Sequence, residues 1–455
     1  MRALVGASTL SQHQNGSEVE GLAEADRACT VWFTLAKLRH TPVLGWGRVT
    51  SLPCGQTAMP LLDSLQDYSQ FTRLRRDIHA HPELGFEEHR TSALVAEKLQ
   101  SWGIEVHTGV AGTGVVGVLK NGSSPRALGL RADLDALPLQ EENHFPHRST
   151  HDGRMHACGH DGHTTMLLAA AWHLSQHRDF DGTVNFIFQP AEEMGKAGAK
   201  KMIEDGLFER FPCDAVFALH NYTLGEVGHF ALNHGALMAS SNTWRVVMKG
   251  RGTHASIPHT GVDPVAAVIN LGQQLQTLVP KVVDNVERAL LAVTQIQGSG
   301  APNVIPDQAW VGGTVRTFSE TALDAIEAGL RRLALGTAQA HGCEAQVEFK
   351  RASPPVVNHA KEARFAAEVM REVVGAQAVD EQFPAVLGAE DFAHMLKAKP
   401  GCYAFIGNGL GEHRMPDHGP GPCIIHNTSF DFNDAIIPVG ASYFVRLTQR
   451  WLAAA

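Results

Sequence analysis

Several features that would indicate other classes of protein are missing from this 455-residue sequence. It has no long run of Lys and Arg, and its formal net charge is -9, so the basic footprint of a nucleic-acid-binding protein is absent. The longest apolar stretches fall well short of about 18 residues, so we expect no membrane-spanning helix. The seven cysteines are odd in number, scattered and without CxxC spacing, which is typical of reduced thiols in a cytoplasmic protein.

The first 60 residues differ from the rest in having no sustained hydrophobic periodicity. They also lack the charged segment and the apolar core of roughly 7–15 residues that a secretory signal requires. Met59-Pro60 then precedes an amphipathic pattern that starts at Leu61. We therefore expect residues 1–60 to be a poorly ordered extension and the folded part to begin near Leu61.

The densest group of chemically active side chains lies between Met155 and His163. This short segment contains Cys158, Asp161 and three histidines, His156, His160 and His163. Thiolate and imidazole are ligands that zinc favours, and a mixture with carboxylates also admits manganese, cobalt or nickel. The segment favours a metal site, and the alternative is a His-rich loop around a buried cysteine.

From Leu61 onward, helical and strand patterns alternate, which predicts an α/β fold. We predict helices at 61–78, 88–102, 160–176, 196–205, 360–373 and 434–451, and strands at 104–107, 114–119, 127–131, 183–188, 215–219 and 402–406. Three of these strands are followed by polar groups: Asp133 and Asp135, Glu192 and Glu193, and His220. Open α/β sheets bind ligands at such strand ends.

The adjacent carboxylates of Glu192 and Glu193 can take different roles in catalysis. Two neighbouring side chains after a strand cannot both point the same way, so one can bind an ion while the other faces the substrate and transfers a proton. The alternative is a pair of solvated glutamates at the start of the helix predicted at 196–205, where the helix dipole favours them. The pair alone leaves both interpretations open.

Residues 237–351 show a different pattern from the rest of the chain. Strand, helix, two strands, helix and strand follow one another, which is the ferredoxin-like order and suits an inserted domain. We therefore predict an N-terminal extension (1–60), a metal-binding catalytic domain in two segments (61–236 and 352–455) and an inserted domain (237–351).

Six separated motifs together resemble the M20 peptidase family and, within it, the amidohydrolase group that forms its subfamily D. This group includes hippurate hydrolases, aminoacylase-like enzymes and auxin-conjugate hydrolases. The motifs occur in the family's order and the resemblance covers nearly all of residues 61–455; they lie at 75–88, 130–138, 155–163, 189–193, 254–259 and 303–306.

This resemblance implies a zinc-peptidase-like catalytic domain with a central mixed sheet flanked by helices, and an inserted ferredoxin-like lid and dimerisation domain. It also implies two divalent metal ions per subunit, of Mn, Zn, Co or Ni. The residues that match the metal ligands are Cys158, His160, Glu193, His220 and His426. Glu192 matches the general base and acid, and Asp135 matches a carboxylate that orients a metal-binding group, with Asp133 as its rival. His156 and His163 would then support the ligands or be structural, and direct metal binding by them is the less favoured alternative.

In the inserted domain, the residues that match the family's substrate-capturing positions are His254, Asn303 and Arg316. Arginine suits a free carboxylate, and histidine suits a developing oxyanion. Without the resemblance, Asn303 is typical of a turn residue and Arg316 of a solvated strand residue. Thr253 stands where relatives usually have glycine, which puts the placement of His254 in question.

The resemblance predicts a cytoplasmic amidohydrolase that cleaves the amide bond of hippurate-like N-acyl amino acids. A homodimer or a dimer-based homo-oligomer is expected, with no nucleic-acid or membrane partner. Three alternatives remain: a dipeptidase or aminoacyl-conjugate peptidase of the same family, a non-catalytic binding protein, and an enzyme that uses Cys158 as nucleophile.

Overall fold

A computed structural model describes residues 68–414 and 416–453, which form two large β-sheets with helices packed on their faces. The expected extension 1–60, with Cys29 and Cys54, lies outside the described residues, as do residues 61–67 of the first predicted helix. The helices are α1 (Ser69–Ala80), α2 (His89–Ser101), α3 (His160–Gln176), α4 (Gly198–Glu204), α5 (Leu207–Arg210), α6 (Pro264–Leu275), α7 (Val279–Val282), α8 (Glu320–His341), α9 (Ala360–Val374), α10 (Ala393–Ala398) and α11 (Ile437–Trp451).

The strands are β1 (Glu105–Val110), β2 (Gly114–Asn121), β3 (Ala127–Asp133), β4 (Gly182–Gln189), β5 (Ala215–Tyr222), β6 (Phe230–Ala231), β7 (Ala236–Met238), β8 (Ser241–Lys249), β9 (Thr253–His254), β10 (Ala289–Gln297), β11 (Val304–Ile305), β12 (Gln308–Thr317), β13 (Glu344–Ser353), β14 (Val356–Val357), β15 (Val379–Asp380) and β16 (Gly401–Gly407).

The larger sheet is mixed and has eight strands in the order β1-β2-β4-β3-β5-β16-β6-β15. Its centre is parallel, because β3 pairs in parallel with both β4 and β5, and β16 pairs in parallel with β5. Every residue of β3 is buried, as expected for a strand covered by helices on both faces. α3 and α11 contribute to the hydrophobic core on one face, and α4 and α10 to the core on the other. The predicted mixed sheet flanked by helices is therefore confirmed.

The smaller sheet has four antiparallel strands in the order β10-β12-β8-β13. α6 and α8 bury apolar side chains such as Leu271 and Ile326 against it, in a core separate from those of the larger sheet. Burial alternates along β8, the pattern of a strand with one face in a core. The chain order β8, α6, β10, β12, α8, β13 is the predicted ferredoxin-like order.

Local signals in the chain explain where the two long helices of this region begin and end. The Asp263 carboxylate accepts a hydrogen bond from the Val265 amide (2.8 Å) at the start of α6, and Pro264 occupies the first helical position. Ser319 accepts from the Ala322 amide (3.1 Å) at the start of α8. α8 ends at Gly342, whose φ of 68° closes the helix in the left-handed conformation.

Two predicted element boundaries near the candidate site are wrong. The strand predicted at 215–219 continues to Tyr222, so His220 lies inside β5 and does not follow it. The helix predicted at 196–205 begins only at Gly198, because Ala197 has a left-handed φ of 58°, and a 3₁₀ turn occupies Glu193–Gly195.

Within residues 68–414 and 416–453, no helix combines the length and the apolar character needed to cross a membrane.

Candidate metal centre and active site

The candidate ligands converge at one edge of the larger sheet. β4, β3 and β5 are parallel neighbours, so their carboxyl ends meet there. Asp133 ends β3, the segment with Glu192 and Glu193 follows β4, and His220 lies near the end of β5. This is the edge at which open α/β sheets bind ligands.

The start of α3 supplies two further ligand candidates. Gly159 has a φ of 95°, and a Cβ there would lie only 2.2 Å from Asn221 Oδ1, so both conformation and space require glycine. The turn at Gly159 separates Cys158 from His160, which is the first residue of α3 and is fully buried. Tight packing of α3 on the sheet thus brings both side chains to the strand ends.

The five predicted metal ligands form two groups that share Cys158. The donor atoms of Cys158, His160 and His220 lie within 4.8 Å of one another, and so do those of Cys158, Glu193 and His426. The Cys158 sulfur is 3.3 Å from His220 Nε2. A thiol, imidazoles and a carboxylate within this spacing suit zinc and the other transition ions.

Buried atoms without partners show that these residues fit a cation. His160 Nε2 is buried and makes no hydrogen bond. Burial, with a contribution from His163, lowers the pKa of His220 and keeps that imidazole in the neutral form that binds metals. Burial and the Glu193 carboxylate raise the pKa of the Cys158 thiol, and a coordinating cation reverses this effect.

Asp135 contacts the backbone of both adjacent glutamates. Its two carboxylate oxygens accept hydrogen bonds from the Glu192 amide (3.1 Å) and the Glu193 amide (2.9 Å). Its backbone carbonyl oxygen lies 2.8 Å from His160 Nδ1, an arrangement that holds the ring. These contacts suit the orienting role predicted for Asp135.

Its rival Asp133 is engaged elsewhere. One carboxylate oxygen lies 2.7 Å from His163 Nδ1, and the other accepts a hydrogen bond from Arg131 (2.7 Å). His163 Nε2 contacts Asn221, so both nitrogens of this ring are occupied. His156 is also buried, and burial lowers its pKa to about 3. These placements agree with structural roles for His156 and His163.

The backbone that carries Glu192 and Glu193 adopts an unusual conformation. Ala191, Met194 and Ala197 all have left-handed φ values, of 53°, 60° and 58°. Each such residue costs about 1–2 kcal/mol when it is not glycine, and strain of this kind concentrates at functional sites. Burial and the nearby Glu390 carboxylate raise the pKa of Glu192, which suits a group that alternately takes up and releases a proton.

His426 approaches Glu193 from the loop that precedes α11. His426 Nε2 lies 3.1 Å from Glu193 Oε1, and this contact helps to lower the pKa of Glu193 against the effect of burial. His426 has a left-handed φ of 60°, and its amide donates to the Ala157 carbonyl (2.6 Å). A hydrogen bond thus joins this distant loop to the segment that contains Cys158.

A buried network behind the metal candidates contains residues that the sequence did not identify as functional. Arg131 is fully buried and donates to Glu390 (2.8 Å) and Asp391 (3.4 Å) as well as to Asp133. Carboxylate oxygens of Glu390, Asp391 and Glu192 lie within 4.8 Å of one another. The only sequence signal was a pair of acidic residues in the segment 388–392, between the predicted helix at 360–373 and the strand at 402–406.

A cavity of about 600 Å³ opens onto these groups. Its polar lining residues include Glu192, His220, His426 and Arg316. Its apolar lining residues include Tyr222, Met238, Val386, Phe405 and Ile425. This size is within the usual range for small-molecule sites.

Arg316 lines the cavity, whereas His254 and Asn303 do not. His254 is exposed on β9 and pairs with Val304 of β11, which places it next to Asn303. Thr253 is extended within β9, so the β-branched residue fits the backbone there without strain. The substrate contacts expected for His254 and Asn303 remain predictions.

Comparisons with known proteins agree with this geometry. Residues 129–450 match the model of peptidase family M20/M25/M40. The chain is 40% identical to a hippurate hydrolase of Campylobacter jejuni over 87% of this chain and 100% of that protein. It is 38% identical to the IAA-amino acid hydrolase ILR1-like 5 of Arabidopsis thaliana over 83% of this chain and 86% of that protein.

A crystal structure with the same fold is that of the Bacillus subtilis YXEP protein, described as a dinuclear metal-binding peptidase from the M20 family. It superimposes with a TM-score of 0.73 at 32% identity and covers 85% of this chain and 99% of that one. The chain therefore belongs to the M20 peptidase family, in its amidohydrolase group.

Proposed function

We propose that this protein is a metal-dependent amidohydrolase that cleaves N-acyl amino acids to a carboxylic acid and a free amino acid. The observation that carries the proposal is the position of Glu192, which lines the cavity beside the two ligand groups that share Cys158. The similarity to hippurate and IAA-amino acid hydrolases supports the same reaction class.

Two divalent ions would be held by the residues of these two groups, Cys158, His160, Glu193, His220 and His426, with Mn, Zn, Co or Ni as candidates. When bound, such ions polarise a carbonyl group and lower the pKa of water. The similarity to the dinuclear metal-binding peptidase of Bacillus subtilis supports the number of ions.

Glu192 is the residue that moves the proton. Its carboxylate removes a proton from the attacking water and delivers it to the leaving nitrogen of the amide. Asp135 holds the Glu192 amide at 3.1 Å, so the backbone at the base is fixed before substrate enters. Arg316, which lines the cavity, receives the free carboxylate of the substrate, since its guanidinium group offers paired donors.

The two remaining substrate contacts come from the inserted domain. Neither His254 nor Asn303 lines the cavity in this structure, and closure of the inserted domain brings them to the substrate. His254 then hydrogen-bonds the developing oxyanion, and Asn303 offers an amide group to the substrate. The apolar residues that line the cavity, such as Tyr222 and Phe405, suit an apolar acyl group.

Three other functions are less well supported. A dipeptidase or aminoacyl-conjugate peptidase would use the same ligands, and the apolar residues that line the cavity favour an acyl group over a charged peptide amine. Burial and Glu193 raise the pKa of Cys158, so without a metal the thiol stays protonated and is a poor nucleophile. A non-catalytic binding protein would not require a carboxylate such as Glu192 beside the ligand groups.

The proposed domain organisation places a lid domain between two segments of the catalytic domain. Residues 237–351 act as an inserted lid and dimerisation domain between the two catalytic segments 61–236 and 352–455, in a homodimer or dimer-based oligomer. The four-stranded sheet with its own hydrophobic core supports a separately folded unit in this region. The five cysteines among residues 68–414 and 416–453 are unpaired, which supports a cytoplasmic location.

The decisive experiment replaces the base without removing a ligand. We expect Glu192→Gln to retain its metal content and to lose at least about 100-fold in kcat on N-benzoylglycine, because general acid–base groups contribute roughly 10²–10⁴-fold. Glu209→Gln, the same change at an exposed residue of α5, should leave kcat unchanged. Near-normal turnover by the metal-loaded Glu192→Gln protein would disprove the mechanism.

A panel of substrates then separates the reaction classes. N-acyl amino acids and dipeptides are assayed with each added metal and after chelation, by measuring the released amino acid. Cleavage of dipeptides in preference to N-acyl amino acids would favour the peptidase. Activity that survives chelation but is abolished by thiol alkylation would favour the cysteine nucleophile.

A further inference from the structure

The motif at residues 75–88 has no role in the proposed reaction, yet its last part packs directly beneath the catalytic loop. We define the catalytic loop as residues 190–199, which connect β4 to α4 and carry Glu192 and Glu193. Its left-handed residues Ala191, Met194 and Ala197 mean that this backbone needs support from its surroundings.

Gly85 makes the closest approach to the loop. A Cβ atom at Gly85 would lie 2.8 Å from Ala191 Cα and 2.9 Å from Ala191 Cβ, so only glycine allows the two backbones to come this close. The Lys196 ammonium group donates a hydrogen bond to the Gly85 carbonyl (2.6 Å). The loop therefore contacts Gly85 both at its beginning and past its midpoint.

Glu88 makes the polar contact at the start of the loop. It is fully buried, and its Oε1 accepts a hydrogen bond from the Ala191 amide at 2.8 Å. Its Oε2 accepts from the Thr113 hydroxyl at 2.5 Å, which fixes the carboxylate on the other side. Glu88 precedes α2 as its N-cap residue, yet its side chain makes no cap hydrogen bond to that helix. The carboxylate is thus directed to the catalytic loop.

A second carboxylate holds the far end of the loop. Asp391 accepts hydrogen bonds from the Ala199 amide (2.9 Å) and from Gln189 Nε2 (2.7 Å), just before the loop begins. Asp135 holds the Glu192 and Glu193 amides, so loss of Glu88 frees the Ala191 amide while these amides and α4 stay attached. The residue next to Ala191 is Glu192.

We propose that Glu88 is a positioning residue for the catalytic base Glu192, and that Gly85 provides the close contact this positioning requires. The inference rests on the proposed function, since it assigns Glu88 to the same reaction. Glu88 touches neither substrate nor the donor atoms of the ligand groups. It acts through the Ala191 amide, so its removal affects turnover more than substrate binding.

The test compares two replacements of Glu88 in the full-length, metal-loaded protein. Glu88→Gln keeps an oxygen for the Ala191 amide, and since burial raises the pKa of Glu88, a neutral side chain is a close substitute. Glu88→Leu removes the acceptor. We expect Glu88→Leu to lower kcat on the order of 10–100-fold, as small misplacements of catalytic groups do, with KM changed less than about twofold. Glu88→Gln should stay within about threefold of wild type in kcat.

A matched control separates positioning from general destabilisation. Glu141 is also a buried glutamate that accepts a backbone amide, that of Ser149 at 2.6 Å, but it does not contact the catalytic loop. Glu141→Leu should lower the melting temperature as Glu88→Leu does, while kcat of the folded protein stays near wild type. Equal losses of kcat in Glu141→Leu and Glu88→Leu, or an equal loss in Glu88→Gln, would overturn the proposal.

A second variant tests the same contact if Glu88→Leu does not fold. Gly85→Ala should displace the loop at Ala191. We expect it to lower kcat at least about tenfold, because small misplacements of catalytic groups slow turnover. Gly336→Ala is its control, because a Cβ there meets nothing within 4 Å. Unchanged kcat in Gly85→Ala would overturn the proposal. The proposed function has a separate test. Near-normal turnover by the metal-loaded Glu192→Gln protein would disprove it, whatever the result for Glu88 and Gly85.

Discussion

Buried ion pairs explain the roles of Arg75 and His79, two residues of the first motif that lie in α1. Arg75 is buried and donates to Asp434 (2.6 Å) and Asp431 (3.2 Å). His79 is also fully buried, and its Nδ1 lies 2.8 Å from Asp161. An unpaired buried charge costs several kcal/mol, so each of these groups requires its partner. His79 therefore has a structural role in this arrangement.

The pairing of His79 leads to a prediction about pH. We expect His79→Leu to lower the free energy of unfolding by about 3–5 kcal/mol near neutral pH, because it leaves Asp161 without this partner. Although burial opposes it, Asp161 and Glu141 raise the pKa of His79 to about 10. A raised pKa means that this stability is fully present below the unfolded pKa, about 6.5, and is lost as the pH rises through about 10.

Urea denaturation of both proteins between pH 5.5 and 10 measures this difference. The gap between wild type and His79→Leu should be largest near pH 6 and should shrink towards pH 10. His259→Leu, at an exposed histidine, should show little difference at any pH. A gap that widened with rising pH would contradict the ion pair.

At the scale of elements, the ligand candidates lie at the ends of helices and strands. The backbone conformation of the connecting segments determines where their side chains point. α3 starts at His160 because Gly159 allows a left-handed turn that no side chain could occupy beside Asn221. The catalytic loop is a different case, because its left-handed positions include residues other than glycine. Ala197, with φ of 58° and ψ of 51°, lies in this loop and is the N-cap of α4.

The conformation of Ala197 predicts a stabilising substitution. We expect Ala197→Gly to raise the free energy of unfolding by about 0.5–1 kcal/mol, since the relief of left-handed strain exceeds the added entropy of the unfolded chain. Ala199→Gly, two residues later in right-handed α4, should instead be destabilising. Denaturant unfolding of the three proteins measures both effects, and a loss of stability in Ala197→Gly would show that the backbone there is unstrained.

At the scale of the whole molecule, the candidate ligands come from segments far apart in the chain. Cys158 and His160 begin α3, Glu193 follows β4, His220 lies in β5, and His426 precedes α11. An ion bound by all of them would connect these segments only in the folded state. Metal binding is therefore expected to stabilise the protein as a whole.

Removing the metal measures this coupling. We expect chelation to lower the free energy of unfolding by about 3 kcal/mol for each ion removed, relative to protein in metal at roughly 100 times the dissociation constant. Calorimetry should show a higher melting temperature on addition of Mn, Zn, Co or Ni. Glu192→Gln should respond as wild type does, and Cys158→Ser should respond less because it loses the shared ligand. An equal response in Cys158→Ser would show that the thiol does not hold the ion.

Much of the fold could be predicted from the chain because local patterns survive in the structure. The helix predicted at 160–176 occupies those residues, and the strands predicted from 104 to 188 are correct within a few residues. The errors at His220 and at 196–205 have a physical cause. The strand is extended by pairing with β16, and the helix is delayed by Ala197, whose left-handed backbone no propensity predicts.

The sequence alone predicted the order of elements, the ferredoxin-like region and the family, because hydrophobic periodicity and short motifs are local properties. Tertiary structure decided which side chains meet. It gave Glu88 the Ala191 amide as partner and surrounded Arg131 with Asp133, Glu390 and Asp391. Such contacts join residues as far apart as Arg75 and Asp434, which are separated by 359 positions. The need to satisfy buried polar groups selects these contacts, and it arises only when the chain is packed.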